Sequence, residues 1–228
     1  NNVKTIHIQN PKLSLNHFDL LLIPEHDRIK GQNVIQTKGA LCFFEEKDIK
    51  KFKQPNLNKI KTKKNTVLLM VGGNSKKQKP NNSEYFELST KVIQGVKNLN
   101  AQLIVTVSRR TPNKAIKILQ STFSKHLSDF KILSSDENNL YPKILEIIDY
   151  TIVTSDSVNM ISELATLSKP LFIFHFSKEN KKISFFISNL KELNIVKDYN
   201  GDLFKFKKSK LQTNKITISQ VNKFFGFK

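Results

Sequence analysis

Apolar residues in this chain gather into short dense runs, and from residue 66 onward those runs alternate with segments of helical spacing. Residues 66–71 (TVLLMV), 102–107 (QLIVTV), 130–133, 150–153 and 171–176 read as strands. They are nearly continuous in apolar character, as strands of a parallel sheet covered on both faces must be. Residues 83–99 predict a helix with Phe86, Val92, Ile93 and Val96 apolar. Residues 113–123 predict another, with Ala115, Ile116, Leu119 and Phe123 on one face. Further helices are expected over 140–148, 184–193 and 217–225, with a basic loop over 200–215. The organising stretch is 150–176: an apolar run, a polar knot at 154–157, a helical segment to about residue 168, Lys169-Pro170, and a second apolar run. That is strand, turn, helix, strand: one βαβ unit. The repeated alternation predicts an α/β fold, a parallel sheet with helices on both faces.

Before residue 54 the pattern is less complete. Residues 3–8, 18–23 and 33–37 predict strands, the second nearly all apolar, and 45–51 a short helix. Residues 54–65 are rich in Lys, Asn and Pro with few apolar positions, as a linker would be. The expected division is a partial α/β unit over 1–53, a linker over 54–65, and a whole α/β unit over 66–228 with a terminal helix. A first strand within a few residues of Asn1 suggests a unit whose amino-terminal part is absent, leaving apolar sheet surface exposed.

Composition narrows the classes. The single cysteine, Cys42, excludes an intrachain disulfide and a cysteine zinc cluster, and a reducing, cytoplasmic setting fits. No run approaches the roughly 20 apolar residues of a membrane span. The net charge is +19, which raises nucleic acid or an anionic membrane as partners. The lysines are scattered without a stripe of stacking aromatics, so a solvated surface is the preferred reading and no nucleic acid is expected. Of the 38 basic residues only Arg28, Arg109 and Arg110 are arginine. In a chain that otherwise uses Lys, Arg marks positions where a planar bidentate fork is needed.

Four polar turns follow predicted strands. The first holds Glu25, His26, Asp27 and Arg28, where His26 or Asp27 is a candidate general base and equally an ordinary loop residue. The second holds Gly72, Gly73, Ser75 and Lys76, which lets backbone approach a ligand closely but is neither a Walker loop nor GxGxxG. It reads equally as a tight turn. The third, Ser108, Arg109, Arg110 and Thr111, offers guanidinium forks and hydroxyls suited to phosphate or carboxylate. An exposed basic turn is the plainer alternative. The fourth, Ser155, Asp156 and Ser157, opens a helix whose free N–H groups suit an anion, or is simply an N-cap. Ser162 and Glu163 lie further along that helix, where Glu163 could receive ribose hydroxyls or face solvent. Turns at one sheet edge should converge. No Ser-His-Asp order, metal-ligand spacing or cofactor signature stands out.

The runs IQNP, FDLLLIPEHD with Arg28 and Gly31-Gln32-Asn33-Val34, VGGNSK, VTVSRRTP, DENNLY and VTSDSVNMISELATLSKPLFIF together resemble one family. It is the bacterial and plant family named for the mitochondrial fission protein whose loss elongates mitochondria. The resemblance runs in order from about Ile6 to Asp202. It implies a GT-B-like architecture, two Rossmann-type units facing a cleft, with the second binding the nucleotide. Ser162-Glu163 followed by Lys169-Pro170 is similar to the donor-site motif of nucleotide-sugar glycosyltransferases, where a helix terminus meets the phosphates and a Glu takes the ribose. Asp156 departs from that scheme, since its charge would repel a diphosphate unless Arg109, Arg110 or a metal offsets it. The resemblance implies nucleotide-sugar binding, extending to glycosyl transfer into envelope material. The alternative is a non-catalytic scaffold on a membrane surface, peripheral on the inner membrane, held by its basic charge.

Overall fold

The computed structural model describes residues 3–43, 45–49, 51, 65–76, 78–133 and 140–227, and among these the strands form two parallel sheets. The larger contains β4 (Thr66–Val71), β5 (Gln102–Val107), β6 (Phe130–Ile132), β7 (Tyr150–Thr154), β8 (Leu171–Phe174) and β9 (Lys197–Asp198), in the order β6-β5-β4-β7-β8-β9. Alternation along β4 sorts its side chains. Val67, Leu69 and Val71 meet Leu88 and Val92 of α2 (Asn82–Asn98) and Leu119 and Phe123 of α3 (Asn113–His126). Leu68 and Met70 point the other way. They join Ile144 of α4 (Tyr141–Ile147), Ile161 and Leu164 of α5 (Val158–Ala165), and Ile187 and Leu190 of α6 (Lys181–Glu192). Helices therefore cover both faces, and the near-continuous apolar strands follow from that double burial.

The smaller sheet holds β1 (Ile6–Ile8), β2 (Leu20–Pro24) and β3 (Val34–Thr37) in sequence order. Every residue of the central strand β2 is buried. The edge strand β1 leaves Ile6 47% and Ile8 54% exposed. The segment assigned to a linker lies outside the described residues except for Asn65. The short helix α1 (Glu46–Ile49) docks back on the larger unit, where Glu46 accepts from the Ser168 amide at 3.1 Å.

Two features differ from the sequence expectation. The strand β9 has two exposed residues and so carries no apolar signal. The last helix among the described residues, α7 (Thr213–Phe225), expected with the second unit, packs on β3 of the smaller sheet. Thr213 Oγ1 donates to Lys38 O at 2.7 Å, and Asn214 exchanges two hydrogen bonds with the Cys42 backbone at 3.0 and 2.7 Å. Its buried side chains are Thr213 and Thr217, so hydropathy alone conceals which face it buries.

Candidate functional site

The chain builds β4, β5 and β6 outward in one direction, then returns to place β7 on the other side of β4. Loops leave in opposite directions from such a point, opening a crevice at the carboxyl ends of the strands. The turns 72–76, 108–112 and 154–157 meet there. Ser108 N–H donates to Val71 O at 2.9 Å, and Asn74 N–H to Arg110 O at 3.0 Å. Thr111 Oγ1 donates to Gly72 O at 2.7 Å.

At this crevice Asp156 turns inward. Thr154 Oγ1 donates to its Oδ1 at 2.6 Å, and Gly73 N–H donates to its Oδ2 at 2.8 Å. The Arg110 guanidinium lies 3.7 Å from Oδ2. Asp156 is only 3% exposed, and burial raises its pKa despite these donors. The carboxylate is an internal clasp between the turns, directed at Thr154, Gly73 and Arg110. The glycines follow from the same packing. A Cβ on Gly72 would stand 1.9 Å from Asp156 Oδ2, and one on Gly73 2.1 Å from Arg110 O.

Other expected site residues are also engaged. Ser155 is fully buried, its N–H donating to Phe174 O at 2.9 Å and its Oγ accepting from Phe176 N–H at 3.1 Å. Ser162 Oγ accepts from Ala40 N–H at 2.9 Å, joining the two units. Ser75 closes a tight turn with Gln78, its N–H donating to Gln78 O at 2.8 Å. Arg109 and Lys76 are exposed. Glu163 faces Tyr141; burial raises the Glu163 pKa, and burial together with the Glu163 charge pushes the Tyr141 phenol well up.

The open space lies beside this clasp. A cavity of about 370 Å³ separates the two units, with Asn10, Lys12 and Asp27 on one wall and Val158, Asn159 and Lys182 on the other. Val158 and Asn159 begin α5, whose amides ahead of Ile161 have no acceptor within the helix. Ser157 supplies no side-chain cap. The opposite end of α5 is covered by the Lys208 ammonium, which donates to Ala165 O at 2.9 Å and to Leu167 O. Burial pulls the Lys208 pKa down to about 7. The positive end of the helix dipole is thus the open one.

Residues 25–28 reach this cavity from the small sheet. Asp27 Oδ1 receives Lys182 Nζ at 2.5 Å across the gap. The His26 ring lies tilted against Phe186, centroids 5.7 Å apart, and lines both this cavity and a smaller one of about 290 Å³ that is also lined by Glu25. Among the described residues its buried Nδ1 has no hydrogen-bond partner, and burial lowers its pKa. Arg28 adopts a left-handed φ of 57° and lays its guanidinium 5.2 Å from the centre of the Phe185 ring. Lys182, Lys12 and Asn10 were not singled out from sequence; lysines are too common here for one to be distinguished without the fold. Among the described residues no three His, Cys, Asp or Glu side chains converge as a metal-binding group, and no helix is long and apolar enough to cross a membrane.

Residues 1–223 match the family described as Mitochondrial fission ELM1. The chain belongs to this family. The uncharacterized protein RP120 of Rickettsia prowazekii (strain Madrid E) is 27% identical over 235 aligned positions, covering 89% of this chain and 66% of the relative. Mitochondrial fission protein ELM1 of Arabidopsis thaliana is 22% identical, covering 88% of this chain and 52% of the relative. The chain thus spans between about half and two thirds of these ELM1-family relatives. Among solved structures, UDP-GlcNAc 2-epimerase from Neisseria meningitidis bound to UDP-GlcNAc superposes with a TM-score of 0.51 at 12% identity, covering 94% of this chain and 64% of that one. MurG of Acinetobacter baumannii gives 0.51 at 12%, covering 97% and 59%. This member of the ELM1 family has a GT-B-like α/β fold.

Proposed function

We propose that the cleft between the two units binds a nucleoside diphosphate sugar. The observation that carries this is the uncapped start of α5, which shares one cavity with Lys182 beside it and Lys12 on the opposite wall. Backbone N–H groups and a helix dipole favour a phosphate there. The fold neighbour solved with UDP-GlcNAc supports the ligand class. By the family resemblance, Glu163, on the same helix and beside Tyr141, is the candidate to accept from ribose hydroxyls. Glycosyl transfer is the enzymatic extension of this reading, with His26 as base, since burial favours its neutral form.

A thermal-shift screen of nucleotide sugars tests the proposal. A true ligand at a hundred times its Kd stabilises by about 2.7 kcal/mol, a readily measured rise in Tm. No shift with any nucleotide sugar would overturn it. One observation favours the scaffold reading: α7 turns Ile216, Ile218 and Phe224 outward beside the exposed Lys215 and Lys223. A chain that ignores nucleotides yet sediments with anionic vesicles would support that reading instead.

A further inference from the structure

His175 follows β8 at the sheet edge that carries the site, and carboxylates lie on both sides of its ring. Nδ1 is 2.5 Å from Glu179 Oε1 and Nε2 is 2.6 Å from Asp198 Oδ1. A carboxylate only accepts, so each ring nitrogen must donate, and only the imidazolium donates from both. The backbone around His175 is fastened to the turn ahead of α5. Ser155 bonds the residue before it, Phe174, through O and the residue after it, Phe176, through N–H. The Ser155 hydroxyl also lies against the Glu179 carboxylate. Glu179 additionally receives Ser184 Oγ at 2.9 Å.

We propose that His175 is a positioning residue, which in its doubly protonated form fixes the turn 155–157 and hence the first-turn amides of α5 that face the cleft. Deprotonation leaves one ring nitrogen as an acceptor opposite a carboxylate, and that contact becomes repulsive. Other charges nearby do not replace it. Lys191 shares Asp198 Oδ1 at 2.6 Å, Lys91 lies over the Phe174 ring, and Glu84, with Lys178 near it, holds the Ser177 amide. Burial lowers the His175 pKa, but the hydrogen bonds and charges of Glu179 and Asp198 outweigh it and the net shift is upward. The contribution is therefore complete below the ordinary value of 6.5 and is lost as pH rises through the elevated folded value.

The test uses the full chain and the conservative variant His175→Gln, with two readouts. The first needs no ligand: amide resonances of residues 155–158 are followed against pH together with the His175 ring. They should titrate together in the wild type and stay flat in the variant. Resonances that ignore the ring's titration would overturn the proposal. The second, which rests on the proposed function, is calorimetry with UDP-GlcNAc as probe. Wild-type affinity should fall roughly fivefold as the ring deprotonates, a coupling at the low end for linked sites, while His175→Gln shows no such step. An equal pH step in the variant would also overturn the proposal. Absence of UDP-GlcNAc binding at every pH would count against that ligand and leave the amide titration to decide on His175.

Discussion

Gly72 and Asp156 show how a charge in an unpromising place is made useful. The carboxylate of Asp156 accepts a hydroxyl and an amide from two different turns, so one side chain ties three strand ends together. Gly72→Ala would force a methyl into that carboxylate, and the expected loss is about 1–3 kcal/mol of stability in chemical denaturation. A variant as stable as the wild type would show that the clasp tolerates more room than the distances allow. From sequence, the Gly-Gly pair and Asp156 were legible as a turn cluster, and so was their convergence. Their inward orientation was not, because a polar residue after a strand can face ligand or protein equally well. Lys182 was illegible for another reason: it pairs with Asp27, remote in sequence, and only tertiary structure brings them together.

Single elements depend on contacts of similar economy. Asn81 and Glu84 form a capping box at the start of α2, with Glu84 Oε2 accepting from Asn81 N–H at 2.8 Å. The other oxygen reaches outside the helix and accepts from Ser177 N–H at 2.7 Å and Ser177 Oγ at 2.9 Å. Burial raises the Glu84 pKa, but donors from Asn81 and Ser177 outweigh it, and the folded value lies below the ordinary 4.5. This stability is present above pH 4.5 and is lost as pH falls through the depressed value. Glu84→Gln should flatten the acid limb of the stability profile, and Glu84→Ala should cost about 1–2 kcal/mol at neutral pH. An unchanged acid limb in the Gln variant would remove Glu84 from the groups that set it. Spacing made the strands of the larger sheet and most of its helices readable. Two helices start several residues ahead of the spacing, α7 at Thr213 and α6 at Lys181, where Asn180 accepts from the Lys182 amide at 3.0 Å, because a cap is a local hydrogen bond with no hydrophobic period.

For the molecule as a whole, the decisive geometry is the gap between the two sheets. Asp27 and Lys182 close part of it, so an anion entering the cleft competes with Asp27 for Lys182. Asp27→Asn should therefore strengthen binding of a nucleotide sugar several-fold, and Lys182→Met should weaken it, by up to the tenfold or more of a charge-assisted hydrogen bond. Calorimetric titration of both variants separates this from a role for Asp27 as a direct ligand contact, in which case both substitutions would weaken binding. The return of α7 to the small sheet has a different consequence, one of timing. A chain made from its amino terminus delivers β1, β2 and β3 before the strands of the larger sheet, and α7, which packs on β3, after them. The larger sheet acquires its final strand at Asp198, before any of α7 has been synthesised. On the ribosome, then, the strands β4 to β9 can pair while β3 still waits for the helix that packs on it.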